Sequence, residues 1–238
     1  MSSTNRAGSV RATLAVGPVV AVLVAVAVAV RVGPPHTMLV AGPVGAALLL
    51  LVGRMGGLGA DEMGLGHRSW RRGAAYAAVC VVAVAVVYAA AALAPATRSA
   101  FLDERYRIGL GAALLTAFVW IPFGTVLFEE FAFRGVLWGL LRSSRGAARA
   151  TLVSSLLFGV WHVLPSLRLN EVNPAVTDLV GSGAAGRALA VAGAVTFTSL
   201  AGVLLCELRR RSGSLLAPVG LHWAVNGLGV VFSASASA

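Results

Sequence analysis

The sequence has no lysine, and every one of its 19 cationic residues is arginine. Charge of either sign is scarce, at 12% of 238 residues, with 9 acids among them. A soluble domain carries about twice that share. The shortage excludes an ordinary solvated surface, and the chain is instead 58% hydrophobic, with a mean hydropathy of +0.86. Only two cysteines occur, Cys80 and Cys206, both inside apolar blocks. That excludes a disulfide framework and reads as two small buried side chains. The absence of lysine beside abundant Ala, Val and Gly suggests coding bias from a GC-rich genome.

What fills the chain is long apolar runs. Seven segments stand out, at 13–30, 37–53, 73–94, 109–128 (running on to 141), 149–167, 188–206 and 217–233. Most approach the ~20 residues a helix needs to cross the hydrocarbon layer. Backbone polar groups in lipid must be satisfied within the segment, so helices are expected even where the runs are rich in valine. The expected fold class is all-α, a polytopic membrane bundle of about seven transmembrane helices (six to eight). The first run is too long for a signal peptide, and Arg31-Val-Gly-Pro is a poor cleavage site, so it reads as a retained span.

Arginine placement gives an orientation. With the N-terminus cytoplasmic, twelve arginines fall on cytoplasmic pieces and six on outer ones; the intramembrane Arg134 completes the 19. This bias favours an N-inside plasma-membrane protein, in a cell expected to be bacterial. It also accounts for the net charge of +10 without nucleic acid as a partner. The Gly-rich stretch 54–72 is expected along the inner surface with Trp70 at the interface, and 168–187 is expected to be the longest outer loop. A frayed tail is expected from Ser233. His36 and His67 read as solvated loop residues. The organisation expected is 1–72 for the N-terminal spans and interfacial segment and 73–238 for the membrane core, within a single membrane domain.

Three polar groups interrupt the apolar runs. Phe128-Glu129-Glu130-Phe131-Ala132-Phe133-Arg134-Gly135 lies in an otherwise apolar stretch from Ile108 to Leu141. Each charge at a helix centre costs about 2.5–3.5 kcal/mol on insertion scales. Glu130 and Arg134 are spaced i, i+4 and can pair. Glu129 is turned about 100° from Glu130 and needs a partner on another helix. Two acids serving only to tether Arg134 is the bland alternative. Phe158-Gly-Val-Trp-His162 lies in the fifth run, and Gly159 permits close helix approach. His222-Trp-Ala-Val-Asn226 lies in the last, with imidazole and carboxamide on one face. Either histidine alone reads as interhelical glue. Together, an acid, two histidines and an asparagine on three spans are best satisfied by meeting, and the set can activate water and hold an oxyanion.

Glu-Glu-x-x-x-Arg, Phe-x-x-x-His and His-x-x-x-Asn, in that order on successive membrane helices, resemble the CPBP family. These are the CAAX prenyl endopeptidase and bacteriocin-processing-like intramembrane proteases, also called Abi. The resemblance spans 129–226, and the run from Gly64 through Arg68, Trp70 and Arg71 is similar to an interfacial stretch in such proteins. It implies an intramembrane endopeptidase acting on a membrane-associated peptide or protein. Glu129 would be the general base, assisted by His162. His222 and Asn226 would hold the oxyanion, and Glu130 and Arg134 would form a structural pair. No cofactor is required by this scheme, although Glu129, His162 and His222 also offer a His₂Glu zinc set. Glu129 is expected nearer the cytoplasmic leaflet, late in its helix. The rival readings are a non-catalytic protein of the same fold, giving bacteriocin self-immunity or scaffolding a partner, and a small proton-coupled transporter. His-Glu-x-x-His, Gly-x-Ser-x-Gly and a rhomboid-like Ser/His pair are absent. Gly57-Leu-Gly-Ala-Asp61 lies in a loop without a second membrane aspartate.

Overall fold

The computed structural model describes residues 3–236, and among these every regular element is helical. The long helices are α1 (Ser3–Val32), α2 (Met38–Met55), α3 (Trp70–Leu93), α4 (Leu110–Arg145), α9 (Gly183–Ser212) and α10 (Leu216–Ala236). Between α4 and α9 come α5 (Ala147–Trp161) and the short α6 (Val163–Ser166), α7 (Leu169–Val172) and α8 (Pro174–Val180). Among the described residues, six helices are long and apolar enough to cross a membrane. Counting the pair Ala147–Trp161 and Val163–Val172, bent by 41° at its break, gives seven. The chain is an integral membrane protein with the all-α architecture its apolar runs imply.

The core gathers around α4. Phe128, Ala132, Phe133, Val136, Leu137, Trp138 and Leu140 on α4 are all buried. α1 supplies Val19 and Val26 to the same cluster, α2 supplies Leu49, and α5 supplies Phe158. Small residues set the approach of these helices. A Cβ at Gly45 of α2 would meet both Phe128 and Val26 at 2.8 Å. A side chain at Gly159 of α5 would collide with Ser199 and the Val195 carbonyl of α9. Such close backbone contact is how helices associate where lipid removes the hydrophobic driving force.

α4 is not a uniform α-helix. Wider π-helical turns occupy Thr116–Trp120, Pro122–Val126 and Phe131–Leu137, and α10 holds another at Ala224–Leu228. Pro122 has no N–H to give the preceding turn, which accounts for a disturbance there. The turn at Phe131–Leu137 is served from outside: Ser154 of α5 donates its hydroxyl to the Phe133 carbonyl at 2.9 Å. π-turns inside helices recur at functional sites.

Several sequence expectations change. The stretch 56–66 exposes Gly57, Ala60, Asp61, Glu62 and Leu65 but is also tied into the bundle. Leu58 and Met63 are buried, and Leu215 N–H donates to the Gly64 carbonyl at 3.0 Å. Arg209, which the arginine count assigns to a polar loop, is only 2% exposed. It donates to the carbonyls of Asp61 at 3.1 Å and Glu62 at 2.9 Å. The bend of this segment exposes main-chain oxygens, and a buried guanidinium answers them. Beyond it His67, Arg68, Trp70, Arg71 and Arg72 are exposed. The stretch 168–187 is largely helical, because Asn173 caps α8 through Val176 N–H and Pro174 begins it. The chain from Ser233 is no frayed tail up to Ala236, since Val230, Ser233 and Ala234 are buried at the end of α10; residues 237 and 238 lie outside the described ones. His67 is exposed as expected, whereas the exposed His36 stacks on Trp120 with centroids 4.5 Å apart.

Candidate active site

Glu129, Glu130 and Arg134 stand near the middle of α4, not late in it. α4 runs on to Arg145, so Glu129 lies about 28 Å along the axis from Leu110 and about 24 Å from Arg145. All three side chains are buried, Glu130 and Arg134 completely. Arg134 Nη1 donates to Glu130 Oε1 at 3.1 Å, and its guanidinium carbon lies 3.9 Å from the centre of the Phe158 ring. The buried cation is therefore met by a carboxylate and by an aromatic face, which together offset its desolvation.

His222 enters from α10 and is also buried. Its Nδ1 lies 2.7 Å from Glu130 Oε1, and its Nε2 lies 3.9 Å from Glu129 Oε2. A carboxylate paired to Arg134 only accepts, so Nδ1 carries the hydrogen. That fixes the imidazole plane and turns Nε2 toward Glu129. Glu130 thus has two partners, Arg134 and His222, where spacing along one helix reveals only the first. The Phe158 ring stands edge-on to His222, with centroids 5.8 Å apart and planes at 88°. It separates this pair of polar groups from the rest of α5.

Glu129 finds its interhelical partner in Trp161, the last residue of α5. The indole Nε1–H donates to Glu129 Oε1 at 2.8 Å. Glu129 Oε2 is buried with no hydrogen bond of its own. The two oxygens of one carboxylate are thus held differently: one is fixed by the indole, the other faces His222 Nε2. Sequence reasoning passed over Trp161 although it lies inside the motif that holds His162. The signal was available, since an indole N–H only donates and needs an acceptor in an apolar span, where Glu129 needs a donor.

His162 sits where α5 breaks. Its N–H donates to the Gly159 carbonyl at 3.0 Å, a tightened turn. Its Nδ1 lies 2.8 Å from the Phe158 carbonyl oxygen, which can only accept, so here too Nδ1 carries the hydrogen and Nε2 is the free ring nitrogen. The imidazole packs edge-on against Phe158 at 4.6 Å. Phe158 therefore touches Arg134, His162 and His222 alike. No direct hydrogen bond joins His162 to Glu129.

Asn226 is half-buried, and its carboxamide makes no hydrogen bond to another described residue. It lies in the π-turn Ala224–Leu228, which begins two residues after His222. That turn is anchored to α4, because Trp223 Nε1 donates to the Ala117 carbonyl at 2.8 Å. The structure thus joins Glu129, Glu130, Arg134 and His222 in one network, with His162 one aromatic ring away and Asn226 one turn away.

The zinc alternative needs Glu129, His162 and His222 to converge. Among the described residues, no three His, Cys, Asp or Glu side chains are arranged to hold a metal. Two donors, Glu129 Oε2 and His222 Nε2, face each other, whereas a catalytic zinc takes three protein ligands. The residues present do not fit that ion in this arrangement.

A helical membrane protein whose buried acids and histidines meet between α4, α5 and α10 belongs among the intramembrane proteins of the CAAX-protease type. A family model described as type II CAAX prenyl endopeptidase Rce1-like matches residues 108–228, half of the chain, and the chain belongs to that family. No curated protein and no solved structure matches it. The matched range takes in Glu129, Glu130, Arg134, Trp161, His162, His222 and Asn226 and leaves out α1, α2 and α3.

Proposed function

We propose that this protein is an intramembrane endopeptidase that hydrolyses a peptide bond of a membrane-associated peptide or protein with water activated by Glu129. The observation that carries the reading is the opposition of Glu129 Oε2 and His222 Nε2 across 3.9 Å inside the bundle. Oε2 is free of any hydrogen bond and can take a proton from water, and the Nδ1 contact with Glu130 fixes the imidazole with Nε2 turned toward that oxygen.

In the proposed reaction Glu129 Oε2 takes a proton from water as the water oxygen attacks the scissile carbonyl carbon. The oxyanion that forms accepts hydrogen bonds from the Asn226 amide and from Nε2–H of His222, which acts in its doubly protonated form with Nδ1–H held by Glu130. Collapse breaks the C–N bond, and the proton held by Glu129 goes to the leaving amine. His162 Nε2 assists the proton transfer. Glu130 and Arg134 hold His222 in place and touch no reacting atom. No step requires a metal. In this reading the Arg145 end of α4 is cytoplasmic, as the arginine bias favours, Glu129 near the middle of α4 sets the reacting groups near mid-depth, and the substrate approaches from the membrane plane.

The test compares wild type with Glu129→Gln in detergent on a panel of membrane-tethered peptides, prenylated and unprenylated, with and without chelator. Wild type is expected to cut, chelator to leave the rate unchanged, and the folded variant to lose cleavage by about 10²–10⁴-fold. Equal cleavage by the two proteins overturns the assignment of the base.

A further inference from the structure

We propose that Trp161 is the positioning residue for Glu129: its indole N–H engages Oε1 and leaves Oε2 as the one oxygen that reacts. The inference rests on the hydrolase reading above and adds to it a residue outside the motif positions.

The geometry is specific on three counts. First, the indole N–H is a donor only, so at 2.8 Å Oε1 must be the acceptor. Second, the ring has little freedom to leave. It lies 6.2 Å from Phe128 and 6.0 Å from Phe133, centroid to centroid, and these two residues flank the acid pair on α4. The indole is therefore seated by the same helix that carries the carboxylate it holds. Third, Trp161 is the last residue of α5, at the break where His162 turns its own Nδ1 back to the Phe158 carbonyl. One interruption of the helix thus delivers two adjacent side chains to different tasks.

The consequence follows from how a carboxylate works as a base. A carboxylate free to rotate offers either oxygen in many orientations, and only some of them face His222 Nε2. Fixing Oε1 removes that rotation and holds the reacting group in productive geometry before substrate arrives. Trp161 itself touches neither water nor substrate in this scheme. Its loss should therefore lower kcat and leave KM nearly unchanged.

The experiment uses the full chain in detergent with two substitutions. Trp161→Phe keeps an aromatic body without the donor. Replacement of Trp161 by 3-benzothienylalanine keeps the bicyclic shape and exchanges N–H for sulfur, which covers the case in which the phenylalanine variant fails to fold. Both are expected to lower kcat by about 10- to 100-fold on the tethered peptide, the loss of one hydrogen bond to a charged group. A second readout is independent of activity: the indole N–H resonances of the five tryptophans, with Trp161 assigned by its absence from Trp161→Phe. Glu129→Leu should move the Trp161 resonance upfield and move the other four less. Unchanged kcat in the benzothienyl protein overturns the proposal, as does a Trp161 resonance indifferent to Glu129→Leu. A wild type that cleaves nothing overturns the hydrolase reading and with it the kinetic consequence, while the resonance still decides whether the indole holds the carboxylate.

Discussion

α3 and α10 pack against each other, yet they are opposites. The apolar window of the span containing α3 has a mean hydropathy of 2.4, and none of it is buried inside the protein. The window of α10 has a mean hydropathy of only 1.3, and 39% of it is buried. In a water-soluble domain the more apolar helix would be the more buried one. Here lipid is the outer solvent, so the more apolar of these two spans faces outward and the polar residues of the other turn in. Val79, Val82, Val86 and Val87 of α3 are exposed, whereas His222 of α10 is buried against Glu130. Of these two spans, the one with the lower hydropathy is the one that carries His222.

That contrast can be broken by substitution, and the largest effect belongs to the buried polar network. Arg134→Met leaves Glu130 fully buried with only His222 as a partner. It should destabilise the fold by about 3–5 kcal/mol, read as loss of folded protein or a lowered Tm in detergent. Full retention of Tm would show that Glu130 is held by His222 alone. Gly159→Val tests the packing that brings α5 to α9. The added side chain meets Ser199 and the Val195 carbonyl and should cost about 1–3 kcal/mol, with activity falling as His162 and Trp161 shift.

A smaller effect is expected where the chain is neither in the core nor facing lipid. Asp103 lies in the segment between α3 and α4. Burial pushes its carboxyl upward, but the side-chain hydrogen bond and charge of Arg105, the Arg105 backbone N–H and the Asn173 amide outweigh it and hold it below the usual range. A carboxyl lowered in the folded state contributes stability above its unfolded value, near 3.9, and loses it as pH falls through the folded one. Wild type should therefore lose about 1 kcal/mol from this group on acidification from pH 5 to below pH 3, and Asp103→Asn should not show that loss. The smallest effect is expected on the lipid face of α3. Val82→Leu should change stability by no more than about 0.5 kcal/mol and so leave Tm nearly unmoved. A large effect there would mean that α3 is covered by another copy or a partner.

The sequence carried much of this in its interruptions. Charges and imidazoles in apolar runs cost free energy, and that cost alone predicts that Glu129, Glu130 and His222 meet partners. Residues whose role depends on another helix were harder to read. Trp161 looks like any membrane tryptophan until the direction of α5 is known, and Arg209 looks like one of three adjacent loop arginines until α9 is seen to bury it under the Asp61–Glu62 carbonyls. Spacing rules assume an unbroken α-helix. They set Asn226 on one face with His222 and give no sign of the π-turn at Ala224–Leu228 in which Asn226 lies. The break at His162 is likewise invisible in hydropathy, because the residues on either side are equally apolar.

The central claim is that water activated at Glu129 ends up in a product carboxylate. The most direct measurement is mass spectrometry of a membrane-tethered peptide incubated with the purified protein in ¹⁸O-labelled water. Wild type should release a fragment whose new C-terminal carboxylate carries one ¹⁸O, and folded Glu129→Gln should release essentially none. Labelled fragments appearing at the same rate from both proteins would contradict the account, because hydrolysis would then proceed without the carboxylate on which it rests.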